Sequence, residues 1–98
     1  MSAAEQDPTI GASRSLIDGD WEWPVHGLRH PPADRTSGWY VWTGDLSHAD
    51  DFFQPWHTSH LVERVPQLAS LLDLPPGSRF LIAPDHLDTW KDPSLLDV

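Results

Sequence analysis

Apolar residues along the 98-residue chain follow two different spacings, and each spacing predicts one kind of element. The run GWYVWT has the alternation of a strand. It places Trp39, Val41 and Thr43 on one face and Tyr40 and Trp42 on the other. Both faces are therefore apolar, which predicts either that both are covered or that one is held open for a partner.

From position 57 onward the apolar spacing becomes helical, with steps of four, four, three and four residues. The stripe consists of His57, Leu61, Val65, Leu68 and Leu72. Pro66 interrupts it and must either kink the helix or begin a second one. The pattern therefore predicts two short helices, over residues 57–65 and 66–73.

Shorter runs predict the remaining elements: strands at 25–30 and 79–83, a return strand at 87–91 that completes a hairpin, and a last helical turn at 94–96. Residues 44–54 are predicted to form a loop. The resulting fold class is α+β, with a small antiparallel sheet of three to four strands and a kinked helical segment packed on one face.

The chain is short enough for a single domain. Residues 1–18 are small and polar, which predicts a loosely ordered N-terminal tail. The single α+β domain is then expected to span residues 19–98.

Composition limits the classes of function. The chain has no cysteine, which excludes a disulfide framework, a thiolate zinc site and a cysteine nucleophile. It has neither a membrane-spanning apolar run nor a signal-peptide pattern, so we expect a cytoplasmic protein without membrane association. A net charge of −9 disfavours nucleic acid and favours a basic protein partner, although acidity also simply keeps proteins soluble.

No catalytic motif is present: the sequence has no serine elbow and no glycine-rich phosphate loop. We therefore predict no catalytic residues and no cofactor. One alternative is a metal-dependent hydrolase in which His57 and His60, three residues apart on a helix, share a metal with Asp51. The zinc pattern H-E-x-x-H is absent, however, and His57 lies on the apolar stripe, which favours a packing role.

Rings and charges around the central strand predict a partner-binding surface, because Trp, Tyr and Arg dominate protein–protein hot spots. The predicted partner-binding residues are Arg29, His30, Tyr40, Trp42, Asp50, Asp51, Trp56 and His60. Trp42 and Trp56 each adjoin a loop and are expected to be partly exposed. For Arg29 the alternative is an ordinary ion pair with an aspartate.

Five sequence blocks occur in a characteristic order: GLRHPP (27–32), SGWYxWxG (37–44), DFFxPxHxxHL (51–61), LPPGxRFLIA (74–83) and WxDxSLL (90–96). Together they resemble the bacterial immunity protein 33-like domain, over about residues 25–98. That family is linked to polymorphic toxin systems.

The resemblance implies a protein that binds and neutralises a cognate toxin by occlusion, with no reaction of its own. The implied partner is a basic toxin or effector domain, and the chain itself would be a monomer or weak homodimer. A regulatory accessory domain with no toxin connection is the remaining alternative.

Overall fold

A six-stranded sheet forms the framework of the computed structural model, which describes residues 9–19, 21–32, 36–44 and 52–96. The strands are β1 (Thr9–Ser13), β2 (Val25–Arg29), β3 (Thr36–Thr43), β4 (Phe53–His57), β5 (Ser78–Ala83) and β6 (His86–Lys91). Their order across the sheet is β4-β1-β3-β2-β5-β6. β1 and β3 run parallel, and the other neighbours are antiparallel.

The helical elements are short. They are α1 (Arg14–Asp18), α2 (Thr58–Arg64) and the 3-10 helices Pro66–Ser70 and Pro93–Leu96. The predicted break before residue 66 is confirmed, since α2 ends at residue 64 and a 3-10 helix begins with the proline. None of the described helices has the length and apolar character that crossing a membrane requires.

The prediction of a small antiparallel sheet with three to four strands is wrong: the sheet has six strands and is mixed. β1 and β4 account for the difference, and each contains a residue that disfavours strands, Gly11 and Pro55. The surrounding structure compensates in both cases. A Cβ at Gly11 would lie 2.5 Å from a ring carbon of Tyr40, so this position requires glycine. Pro55 lies in an edge strand, where proline is tolerated.

The predicted hairpin is confirmed: β5 and β6 pair in register through a turn at residues 84 and 85. Strands β2 and β3 also form close to where they were predicted. β1 and α1 occupy residues 9–18, a segment whose small side chains had predicted a tail.

The hydrophobic core lies between one face of the sheet and the helices. The sheet contributes Ile10, Val25, Trp39, Val41, Phe80 and Ile82, and the helical segments contribute Leu16, Leu61, Val65, Leu68 and Leu71. At the ends of the predicted stripe, His57 is exposed and Leu72 is half-buried. Trp39 is both buried and hydrogen-bonded, because its Nε1 donates to the carbonyl oxygen of Leu72 at 3.1 Å. We call this side of the sheet the core face.

Candidate interaction surface

The opposite side of the sheet carries a row of rings, and we call it the aromatic face. The ring of His26 stacks on Trp42 with centroids 5.3 Å apart. Phe53 meets Trp42 and Tyr40 edge-on at 6.0 and 5.1 Å, and Tyr40 meets His30 at 5.6 Å. His30 directly follows β2, and the other rings come from β2, β3 and β4. Gly11 of β1 leaves the space in which Tyr40 of β3 and Phe53 of β4 touch.

The aromatic row is largely covered by its own members. Trp42 is only 4% exposed, so the prediction that this ring is partly exposed is wrong, and Tyr40 and Phe53 are half-buried. Aromatic pairs of this kind stabilise a fold by about 0.5–1.5 kcal/mol each beyond the area they bury. The row therefore works mainly as a second, smaller core.

On β5 and β6 the aromatic face carries charged groups as well as rings. Burial, and secondly the positive charge of Arg79, lower the pKa of His26 below its ordinary value of 6.5. The Arg79 Nη1 lies 3.1 Å from a carboxylate oxygen of Asp92, and its guanidinium lies 5.9 Å from the ring centroid of Trp90. Hydrogen bonds from Ser94 and then from Arg79 lower the pKa of Asp92. This network ties the end of β6 to β5.

Strand β6 differs from the rest of the sheet because all six of its residues are exposed. Two of the four large hydrophobic side chains exposed in the described ranges belong to it: Leu87 at 52% and Trp90 at 45%. A third, Leu96 at 51%, follows in the 3-10 helix after the strand, and the fourth is Trp23. Leu87 and Trp90 lie on opposite faces of this edge strand, so exposed apolar side chains flank its outer backbone on both sides, and an open edge of this kind invites pairing with another chain. Residues 86–91, which we call the β6 edge, therefore form the candidate surface.

Arg29, although predicted to bind a partner, lies on the core face. Its Nε donates to the carbonyl oxygen of Ser37 at 2.9 Å, and its Nη1 donates to that of Leu74 at 2.7 Å. The guanidinium also lies 5.7 Å from the ring centroid of Trp39. Its observed partners are thus main-chain carbonyls and a core ring, which gives it a structural role. It does not converge with Tyr40 on one patch.

The other predicted residues are divided among several places. His30, Tyr40 and Trp42 share the aromatic face, where the His30 Nδ1 is 2.9 Å from the carbonyl oxygen of Leu95. Trp56 packs against the core from β4 and is half-buried, which agrees with its predicted partial exposure. Asp50 and Asp51 lie outside the described residues.

His57 and His60 are close neighbours, although only His60 belongs to α2, because His57 is the last residue of β4. The rings of His57 and His60 lie 5.4 Å apart, and that of His60 lies 6.1 Å from Trp56. Within the described part of the chain no three His, Cys, Asp or Glu residues are grouped so that they could hold a metal. Because Asp51 falls outside that part, the metal-site hypothesis stays a prediction.

A groove of about 430 Å³ lies at the ends of β2 and β3. Trp21 and Trp23 form one wall, with their rings edge to face at 5.0 Å. The hydroxyls of Ser15 and Thr43, 2.5 Å apart, line another part of it. Two tryptophan rings and two hydroxyls therefore face the same groove.

Sequence reasoning identified β6 as a strand but missed Leu87 and Trp90 as surface residues. The available signal is the poor separation of polar and apolar residues within HLDTWK. Asp88 and Trp90 share one face of the strand, and Leu87 and Lys91 share the other. Neither face is purely apolar, which is the pattern of a strand that is exposed on both sides.

The comparisons with known proteins give one finding about family. The family model described as Imm33-like domain matches residues 1–92 of the 98-residue chain. No curated protein and no solved structure matches the chain.

Proposed function

The chain belongs to the family of Imm33-like domains, and from this premise we propose that it binds a cognate bacterial toxin and neutralises it by occlusion. Occlusion needs a rigid complementary surface and no reaction by the immunity protein itself. The sheet provides the rigidity, since its strands pair continuously from β4 to β6. A net charge of −9 favours a basic toxin domain, whose approach it would accelerate at low salt.

The β6 edge is the observation that supports this proposal most directly. Trp90 is 45% exposed although its ring packs beside Arg79, so it presents apolar area that the fold leaves uncovered. Large rings next to apolar neighbours are the usual anchors of protein interfaces. Leu87 adds a second uncovered apolar side chain to the same strand.

Growth rescue tests the proposal. The chain is co-expressed with the toxin encoded beside its gene, and binding to a catalytically inactivated form of that toxin is measured by calorimetry. We expect rescue and a stable complex. No rescue together with no complex would contradict the proposed function for that pair.

The binding surface is tested with two exposed tryptophans. Trp90→Ala should weaken the complex by about 2 kcal/mol, roughly thirtyfold in Kd, as expected for a truncated anchor. Trp23→Ala is the matched control, because Trp23 is 36% exposed but lies away from β6, beside the groove. A complex that loses affinity with Trp23→Ala and not with Trp90→Ala would assign binding to the groove instead.

A further inference from the structure

The backbone N–H and C=O groups of β6 face β5 at alternate residues and face outward at the others. The two-residue turn at 84 and 85 is closed by the pair of Ala83 and His86, which is a hydrogen-bonded pair in such a hairpin, and the N–H of Asp92 donates to the carbonyl oxygen of Gly77 at 2.7 Å in the same phase of the ladder. Such pairs recur at every second position. In the register of β5 and β6, the bonded pairs are therefore Arg79 with Trp90, Leu81 with Asp88, and Ala83 with His86.

The intervening residues of β6 consequently point their backbone groups away from β5. They are Leu87, Thr89 and Lys91, which together present three N–H and three C=O groups at the outer side of the strand. No described strand lies across from them, because β6 ends the sheet. An open row of this kind is a template on which another strand can pair.

We propose that the β6 edge receives an extended basic segment of the toxin, which adds to the sheet as a further strand. This inference rests on the proposed function and specifies how the partner docks. The outward groups of Leu87, Thr89 and Lys91 supply the backbone hydrogen bonds, and the flanking side chains supply selectivity.

The charged residues of β5 and β6 indicate what kind of segment the β6 edge binds. Arg79 is compensated by Asp92 at 3.1 Å, whereas the ion-pair partner of Asp88 among the described residues is His86, at 2.8 Å, with both side chains more than half exposed. The middle of the strand therefore carries an exposed carboxylate on the same face as Trp90. A basic residue opposite Asp88 can pair with the carboxylate and also approach the ring.

A second copy of the chain fits this edge less well. Two chains with a net charge of −9 each repel one another, and a basic partner is attracted instead. A copy paired symmetrically about Asp88 would also place two carboxylates directly opposite each other, which is destabilising. The occupant is therefore a segment of different chemistry, with a basic residue facing Asp88 and apolar residues facing Leu87.

Residue-resolved amide hydrogen exchange tests the pairing without altering the protein. In the free chain, the amides of Leu87, Thr89 and Lys91 should exchange rapidly, whereas those of Asp88 and Trp90 are protected by β5. Adding the inactivated toxin encoded beside the gene should slow the three outward amides about tenfold or more. A stable complex in which they exchange as fast as in the free chain would overturn the inference.

A proline variant provides the second test. Thr89→Pro removes one outward N–H and leaves the β5 ladder unchanged, and Thr89→Val is the matched control that keeps the N–H and a β-branched side chain. We expect Thr89→Pro to bind the inactivated toxin about tenfold or more weakly than Thr89→Val, with both melting as cooperatively as the wild type. Equal affinities in two folded variants would contradict strand addition.

The outcomes separate this inference from the proposed function. If no complex forms, both fail. If a complex forms while the outward amides stay unprotected, the toxin binds elsewhere: strand addition is wrong and the proposed function stands. Protection that is already present in the free chain and grows with protein concentration would assign the edge to a second copy, which also overturns the inference.

Discussion

The two edges of the sheet are built differently. β4 contains Pro55, leads directly into α2 and packs Trp56 against the core. β6 has no proline and is exposed throughout, with Trp90 uncovered. Natural sheets protect their edges with proline, short strands or covering elements, since an open edge invites pairing with other chains. The protein applies these devices at β4 and omits them at β6, so β6 is the edge at which a partner can be added.

At the β6 edge, charged side chains protect the strand in place of a proline or a covering element. Asp88 and Lys91 are exposed charged residues in β6, and charges on an edge strand discourage indiscriminate pairing. Unlike a proline, a charge does not discourage all partners equally. A chain with complementary charge turns the same residues into favourable contacts. The charges of the β6 edge therefore disfavour pairing with a strand of like charge and still permit pairing with a strand of complementary charge.

The largest expected effect is on stability, and it separates the two edges. Trp56→Ala should reduce the free energy of unfolding by about 2–3 kcal/mol, because the ring packs against the core and beneath Arg64, whose guanidinium is 5.5 Å away. Trp90→Ala should change it by less than about 1 kcal/mol, since this residue is 45% exposed and lies outside the hydrophobic core. Urea unfolding followed by far-ultraviolet circular dichroism measures both. Equal losses at the two positions would show that β6 is as integral to the core as β4.

The elements of the fold differ in how well the sequence predicted them. Elements with a clean period were predictable: β3 from its alternating run, and α2 from a stripe in which Leu61, Val65 and Leu68 are indeed buried. β1 and β4 were not, because Gly11 and Pro55 disfavour strands locally. What permits them is tertiary: a ring of β3 over the glycine and an edge position for the proline. Neither compensation is visible in a single segment of sequence.

The candidate surface was less predictable than the fold. Ring and charge content drew attention to Trp42 and Arg29, yet one is buried and the other bonds main-chain carbonyls. Exposure depends on what packs over each face of a strand, and spacing alone does not reveal that. Trp90 lies on the side of Arg79, opposite the helices, and is 45% exposed, so a strand predicted only as half of a hairpin carries an exposed ring.

The next effect concerns the C-terminal end of β6. The pKa of Asp92 is lowered in the fold by Ser94 and Arg79, so its carboxylate stabilises the folded chain above its ordinary value of 3.8, and this contribution is lost as pH falls through the lowered value. Asp92→Asn should therefore be less stable than the wild type at neutral pH, by less than the loss from Trp56→Ala, and the gap should close in acid. Urea midpoints between pH 7 and 2 measure it.

Asp88→Asn is the matched control for Asp92→Asn. It removes the same charge from β6 but only an exposed contact with His86, and exposed pairs contribute little to stability. If the two variants lost stability equally at neutral pH, net charge would explain the effect, and the Ser94 and Arg79 contacts would not.

The smallest effect is expected at His26, which lies on β2 and is separated from β6 by β5. Burial and the Arg79 charge lower its pKa, so below pH 6.5 the unfolded chain takes up a proton before the folded chain does, and stability decreases as pH falls. His26→Phe keeps a ring against Trp42 but cannot titrate, so it should reduce the decline between pH 8 and 5.5. Urea midpoints across that range compare the slopes. An unchanged slope would mean that His26 does not link pH to stability in the β6 half of the sheet.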